Sequence, residues 1–516
     1  MAGTLMWGKY VVCKITGPQA ADIIPDGAVF QRDGEIIEVG AYEELRDRHP
    51  AAESIGSRQA VVIPGLVNDH FHVGVTPFQL GAPDLPLELW ALAKIGLKVV
   101  DPYLDHLYGA IQMIESGTTT VQVLHYAQRG QPAVNVETAA KALKAYEDAG
   151  MRVSYAMNLV NQNSLAVGPE GGEQEFASLL PPDVAGRFRA LMARQYLPAR
   201  EYISNVEALW SLYGDGRHER VRITLGPSTV DRCSDELLLA ARELASQLKT
   251  GIHIHLQETL YQKAYGLRTR GRTPLQHLHT LGFLGPDVTC GHSVWLTDED
   301  IELIASTGTR VCHNASSNLR LQSGIAPINR LLQRGVRIAL GTDEAGLNDD
   351  KDMFQEMHLA LNLHREPGID NVSPTAHQVF EMATVNGAQA ASVGDRVGTL
   401  EPGKRADIAI VSLRSIAEPY LDPAVSIVDA LVHRGRGSDV ESVMINGEVV
   451  MRDGRLARID KESVLAGLAR SLSRPLSPEE IERRGLGKQL EPYLRQFLTR
   501  STKSLSQPHY QYNARL

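Results

Sequence analysis

Between residues 8 and 58, apolar side chains gather in short strand-length runs cut by turn residues. Tyr10 to Ile15 comes first, then Asp26-Gly27 ahead of Ala28-Val29-Phe30, then Asp33-Gly34 ahead of Glu35 to Val39. Short apolar runs punctuated by turn residues mark strands. The same texture returns at 406–411 and 443–451, the second run folding back at Asn446-Gly447, a favoured hairpin turn. The two chain ends are therefore expected to share one small sheet or sandwich, with the middle of the chain inserted between them.

That middle alternates β-rich runs with helical patterns. The runs are 61–67, 118–124, 152–159, 221–225, 251–256, 287–290, 309–312 and 336–340, with amphipathic segments such as 136–149 and 235–248 between them. Eight βα units predict a TIM-like (β/α)8 barrel with a parallel sheet. The interval between the third and fourth runs is long; it carries Gly171-Gly172, Pro181-Pro182 and helical patterns around Phe188 and Val206, and reads as an insertion on the barrel rim. The expected division is a β-sandwich over 1–59 and 395–456, a barrel over 60–394, and a helical extension over 457–516. Helices are expected in that extension at 461–472, 478–484 and 490–498, followed by a polar stretch from Ser501 that reads equally as a free tail or an arm on a neighbouring subunit.

Composition removes some classes. The 516 residues are 43% hydrophobic and 22% charged, as in ordinary soluble proteins. Lys and Arg number 52 against 61 Asp and Glu, a net charge of −9 with no basic run, which argues against a nucleic-acid surface. The four cysteines, Cys13, Cys233, Cys290 and Cys312, form no C-x-x-C pair and suit a reducing compartment. Apolar stretches are strand-length, and the beginning of the chain has no basic segment leading into a long apolar run, so a cytoplasmic protein off the membrane is expected.

In such a barrel, chemistry gathers at the C-terminal ends of the strands. The first expected strand ends in Asn68-Asp69-His70-Phe71-His72, the fifth in His253-Ile254-His255-Leu256-Gln257-Glu258, the sixth in Cys290-Gly291-His292, the seventh in Cys312-His313-Asn314, and the eighth in Gly341-Thr342-Asp343. His70 and His72 share one strand face, with Phe71 on the other. Neutral imidazole and carboxylate are the donors a divalent ion such as Zn²⁺ accepts.

These residues resemble the amidohydrolase superfamily, in the mononuclear branch of cytosine, guanine and adenosine-type deaminases and triazine hydrolases. The likeness spans roughly residues 8 to 455 and rests on Pro64-Gly65-Leu66-Val67-Asn68-Asp69-His70-Phe71-His72, Ser116-Gly117-Thr118-Thr119-Thr120, His253 to Thr259, Gly341-Thr342-Asp343 and Gly398 to Asp407. By that resemblance the metal ligands fall on His70, His72, His255 and Asp343, with Glu258 as the proton-shuttling glutamate and His292 facing the attacking water or the substrate. The fourth strand, Arg222 to Ser228, lacks the lysine that bridges two metals in the binuclear branch, so one ion per subunit is implied. Zinc is foremost; iron, cobalt and manganese suit the same donors. A divalent ion lowers the pKa of bound water from about 15.7 to about 7. Asp343 is then placed to take a proton, Glu258 to give one to a ring nitrogen or leaving amine, and His292 to steady developing charge.

Other positions stay open. His253 reads as a barrel-interior histidine one layer deeper than His255. Trp90, in the loop after strand one, either stacks on a flat ring or anchors the loop, and the Pro86-Leu87-Glu88-Leu89-Trp90 run also resembles, less closely, amidohydrolases acting on phenylurea or thiocarbamate compounds. His125, His313 and Asn314 are candidate substrate contacts, the last two in a turn, His313 to Asn318, that resembles the family's HNPxSN with Ala315 replacing proline. Asn158, Asn161, Gln162 and Asn163 could read a heterocycle's edge. The expected activity is removal of an amino group from an aminated purine, pyrimidine, pterin or triazine. Hydrolysis of an exocyclic amide, urea or carbamate is the alternative, and a ligand-free assembly role is disfavoured because every ligand position is filled. The partner is a small molecule, and the resemblance implies a homo-oligomer.

Overall fold

The computed structural model describes residues 3–500 apart from 129, 169, 215 and 371. Eight strands run in sequence order around one parallel sheet: Leu66–Phe71, Thr118–His125, Arg152–Leu159, Val221–Pro227, Ile252–Leu256, Val288–His292, Arg310–His313 and Ile338–Leu340. Their residues are buried almost throughout, as expected of strands covered by helices outside and by their own side chains inside. The ends of the sheet meet through side chain and backbone. Asn68 Nδ2 donates to Thr342 Oγ1 at 2.8 Å, the Thr342 N–H donates to Asn68 Oδ1 at 3.0 Å, and the Asp343 N–H donates to the His70 carbonyl at 2.8 Å.

The chain ends form a second eight-stranded sheet. Thr4–Gly17 pairs antiparallel with Ala20–Arg32 and parallel with Glu53–Pro64, which in turn pairs antiparallel with Ile408–Ser412, where the two ends join. One boundary moves. The apolar run 61–67 was read as the first barrel strand, but Val61, Val62 and Ile63 belong to the end sheet and the barrel begins at Leu66. Both strands are buried across the junction, so alternation in the sequence carries no sign of the break. The expected hairpin at Asn446-Gly447 is present, with φ of 53° and 78° at the two turn residues. A bidentate pair, Arg152 Nε to Asp407 Oδ2 at 2.8 Å and Nη2 to Oδ1 at 2.9 Å, fastens the end sheet to the third barrel strand.

The insertion holds helices Glu173–Ser178, Pro182–Ala193 and Ala199–Tyr213. In the extension, Lys461–Ser473 is followed by one helix, Pro478–Thr499, where two shorter ones were expected. Gly485 and Gly487 lie inside this helix, each at a cost of about 1 kcal/mol. Leu486, Leu490, Leu494 and Phe497 outweigh that by packing with Phe176 and Phe188 of the insertion and with Leu89 and Leu92 of helix Leu87–Ala93. The stretch from Ser501 lies outside the described residues. Among the described residues no helix is long and apolar enough to cross a membrane.

Candidate metal centre

His70 and the residues around it lie where the first strand meets the last. Gly341 allows that approach: a Cβ there would stand 2.5 Å from His70 Cβ and 2.7 Å from Asn314 Oδ1. Two residues at these strand ends, His292 and Asp343, take φ of 66° and 53°, the left-handed region that L-residues avoid and that concentrates at working sites.

Hydrogen bonds settle which imidazole nitrogens are free. His72 donates from Nδ1 to the Leu124 carbonyl at 2.6 Å, and His255 donates from Nδ1 to the Ser228 carbonyl at 2.8 Å. Burial holds both rings, and His70, below the usual imidazole pKa, and with Nδ1 as the donor the neutral His72 and His255 rings carry no proton on Nε2. Those two bare nitrogens are only 3.1 Å apart. They repel each other unless a cation lies between them. His70 Nε2 is buried without a hydrogen-bond partner, and its Nδ1 is 2.9 Å from His253 Nε2, so His253 acts as the orienting partner of His70 from one layer below. The ligand nitrogens of His70, His72 and His255 all lie within 4.8 Å of one another.

Asp343 completes the group. Its Oδ1 is 3.3 Å from His72 Nε2 and 3.7 Å from His70 Nε2, while its Oδ2 accepts from Ser317 Oγ at 2.5 Å. Burial pushes this carboxyl upward, but its surroundings, the Ser317 hydroxyl and the nearby Lys351 among them, outweigh that and leave the group below the ordinary value. Three imidazole nitrogens and a carboxylate at these separations fit a divalent ion with bonds of about 2.0–2.2 Å.

Glu258 and His292 flank the group. Glu258 Oε1 is 3.6 Å from His292 Nδ1, and burial raises the Glu258 pKa. His292 donates from Nδ1 to Asn318 Oδ1 at 2.8 Å. Asn314 Nδ2 approaches the same ring at 3.3 and 3.4 Å, so Asn314 orients His292 and is not placed as a substrate contact.

The cavity above the group is lined by His72, His255, Glu258, His292 and Asp343 on its floor and by Trp90 on its wall. His125 and His313 are absent from that lining. His125 is held 2.5 Å from Tyr155 Oη and edge-on to His106, and His313 is 2.9 Å from His364 Nε2, both behind the wall. Of the polar group after strand three only Asn158 reaches the cavity. Asn161, Gln162 and Asn163 are bound instead to Ser234 and to the backbone of Asp231 and Cys233. Sequence reading missed Ser317 and Asn318, although both sit in the quoted turn, and it missed the cavity residues Lys94, Arg232 and Glu344.

A parallel barrel that gathers three imidazoles and a carboxylate at its strand ends, beside a buried glutamate, is the construction of a metal-dependent hydrolase. The family model of the amidohydrolase family matches residues 61–450, and the chain belongs to that family as a hydrolase of C–N bonds. It is 33% identical over 470 residues to a 5'-deoxyadenosine deaminase of Methanosarcina mazei, covering 90% of this chain and 96% of the relative. It is 34% identical over 428 residues to a 5-methylthioadenosine/S-adenosylhomocysteine deaminase of Syntrophomonas wolfei, covering 82% and 88%. A crystal structure of an adenosine deaminase from Xanthomonas campestris with bound zinc superposes with a TM-score of 0.76 at 25% identity, covering 91% of this chain and 97% of that one.

Proposed function

We propose that this protein holds one divalent ion, zinc foremost, on His70, His72, His255 and Asp343 and hydrolytically deaminates an aminated heterocycle, with adenine nucleosides the favoured class. The observation that carries the reading is the pair of proton-free nitrogens of His72 and His255 at 3.1 Å, with Glu258 on the same cavity floor. When bound, the ion supplies an acidified water and a Lewis acid at neutral pH.

The chain's own groups do the proton work. Asp343, held low and fixed through Oδ2 by Ser317, is the acceptor for the attacking water's proton. Glu258, whose pKa burial raises, is placed to give one proton to the ring nitrogen; the proton that Asp343 takes from the water goes to the departing amine, and the remaining hydroxyl proton returns to Glu258 as the carbonyl forms. His292, fixed by Asn318 and Asn314, presents Nε2 at 3.9 Å from Asp343 Oδ2, where it can accept a hydrogen bond from the attacking water. Trp90 offers the wall on which a flat base can lie. The relatives' adenosine-type substrates favour adenine among the aminated rings.

The test couples metal analysis of purified protein with ammonia release from adenosine, 5'-deoxyadenosine and 5'-methylthioadenosine, alongside pterins, triazines, ureas and carbamates. About one ion per chain with ammonia from an adenine nucleoside is the expected result. Amine from a urea or carbamate without ammonia overturns the deaminase reading, and His72→Ala protein that retains its full metal content overturns the ligand set.

A further inference from the structure

One carboxylate within reach of the metal group is held away from it. Glu344 follows Asp343 directly, and its oxygen, the His72 nitrogen and an Asp343 oxygen all lie within 4.8 Å of one another. Carboxylate oxygens are ready ligands for a divalent ion. Glu344 is engaged elsewhere: Lys94 Nζ donates to its two oxygens at 3.0 and 2.8 Å. The two residues are 8% and 4% exposed. Lys94 is itself fixed, donating to Tyr126 Oη at 2.8 Å and standing 4.2 and 4.5 Å from the Trp90 and Tyr126 ring centroids. A lysine held on this many sides is a placed charge.

Charge counting gives the pair a purpose. With one carboxylate among its ligands a divalent ion keeps the net positive charge that acidifies water. A second carboxylate would cancel that charge and fill the position that catalytic sites keep open. A buried Glu344 without its ammonium would be a costly unpaired charge with the ion as its nearest remedy.

We propose that Lys94 is a positioning residue that competes with the metal ion for Glu344, keeping that carboxylate in the cavity wall and out of the coordination sphere. This rests on the four-ligand reading above. The experiment uses full-length protein loaded with Co²⁺ and compares wild type, Lys94→Met, Glu344→Gln and the double variant by visible absorption and by the rate of metal loss to a chelator. Lys94→Met is expected to absorb more weakly, as coordination number rises, and to lose metal about ten-fold or more slowly. Both properties return to wild-type values in the double variant, and Glu344→Gln alone matches wild type. The inference is overturned if Lys94→Met matches wild type, if its change survives in the double variant, or if Glu344→Gln alone alters the spectrum. Should Lys94→Met not fold, as judged by circular dichroism, the last comparison still decides, because an altered spectrum there means that Glu344 already ligates. Wild-type protein that takes up no cobalt would instead sink the four-ligand reading itself.

Discussion

Glu258 and Glu88 are near neighbours given different work by what touches them. Glu258 faces the cavity and His292. Glu88 is turned away, accepting from Thr259 Oγ1 at 2.6 Å, and burial pushes its carboxyl up to about 7. Replacing Glu258 by Gln removes the proton donor while keeping shape, and kcat is expected to fall by about 10²- to 10⁴-fold with metal content unchanged, measured by ammonia release and elemental analysis. Glu88→Gln acts on stability. Because the folded pKa lies above the unfolded one, the contribution of this group is fully present below about pH 4.5 and is lost as the pH rises through about 7. The variant should therefore match wild type near pH 4 and exceed it at pH 8 by about 3 kcal/mol, read from urea unfolding at the two pH values. Much of this scale was legible in the sequence, because His70, His72, His255 and Asp343 stand in short motifs at strand ends. Lys94 and Glu344 were not, since nothing local to either residue announces a partner 250 positions away.

At the scale of elements, helix Leu87–Ala93 joins the cavity to the extension. Trp90 and Leu87 pack with Leu321 and Ala345 on the cavity side, and Leu89 and Leu92 pack against the terminal helix Pro478–Thr499. Leu490→Ala in that helix is expected to cost about 2 to 5 kcal/mol and to raise KM more than it lowers kcat, since the wall loosens and the metal group does not. Steady-state kinetics with thermal unfolding would check this. The eight barrel strands were readable because buried strands and amphipathic helices alternate. The division at Gly65 and the continuity of the terminal helix were not. The first is a break inside one apolar run, and the second depends on tertiary burial that overrides glycine's local preference.

Across the whole molecule, the end sheet and barrel are held by the buried Arg152 and Asp407 pair, whose carboxylate also accepts from the Asn446 N–H at 2.8 Å. Asp407→Ala leaves a guanidinium buried without its counter-charge, and a loss of about 3 to 5 kcal/mol is expected in denaturant unfolding, with the folded fraction still loading metal. The union of the two chain ends in one sheet was visible in their shared strand texture, whereas this pair could not be read from separate segments.

The seam that closes the barrel carries a further consequence for how the molecule comes into being. The Asp343 N–H meets the carbonyl of His70, 273 positions earlier in the chain, so two of the four proposed donors become neighbours only at that closure. During synthesis the first two histidines emerge early and wait, unable to form the complete donor set, until the eighth strand has left the ribosome. On the proposed ligand set, an ion captured by all four donors would tie the last barrel strand to the first and act as a latch on the finished ring.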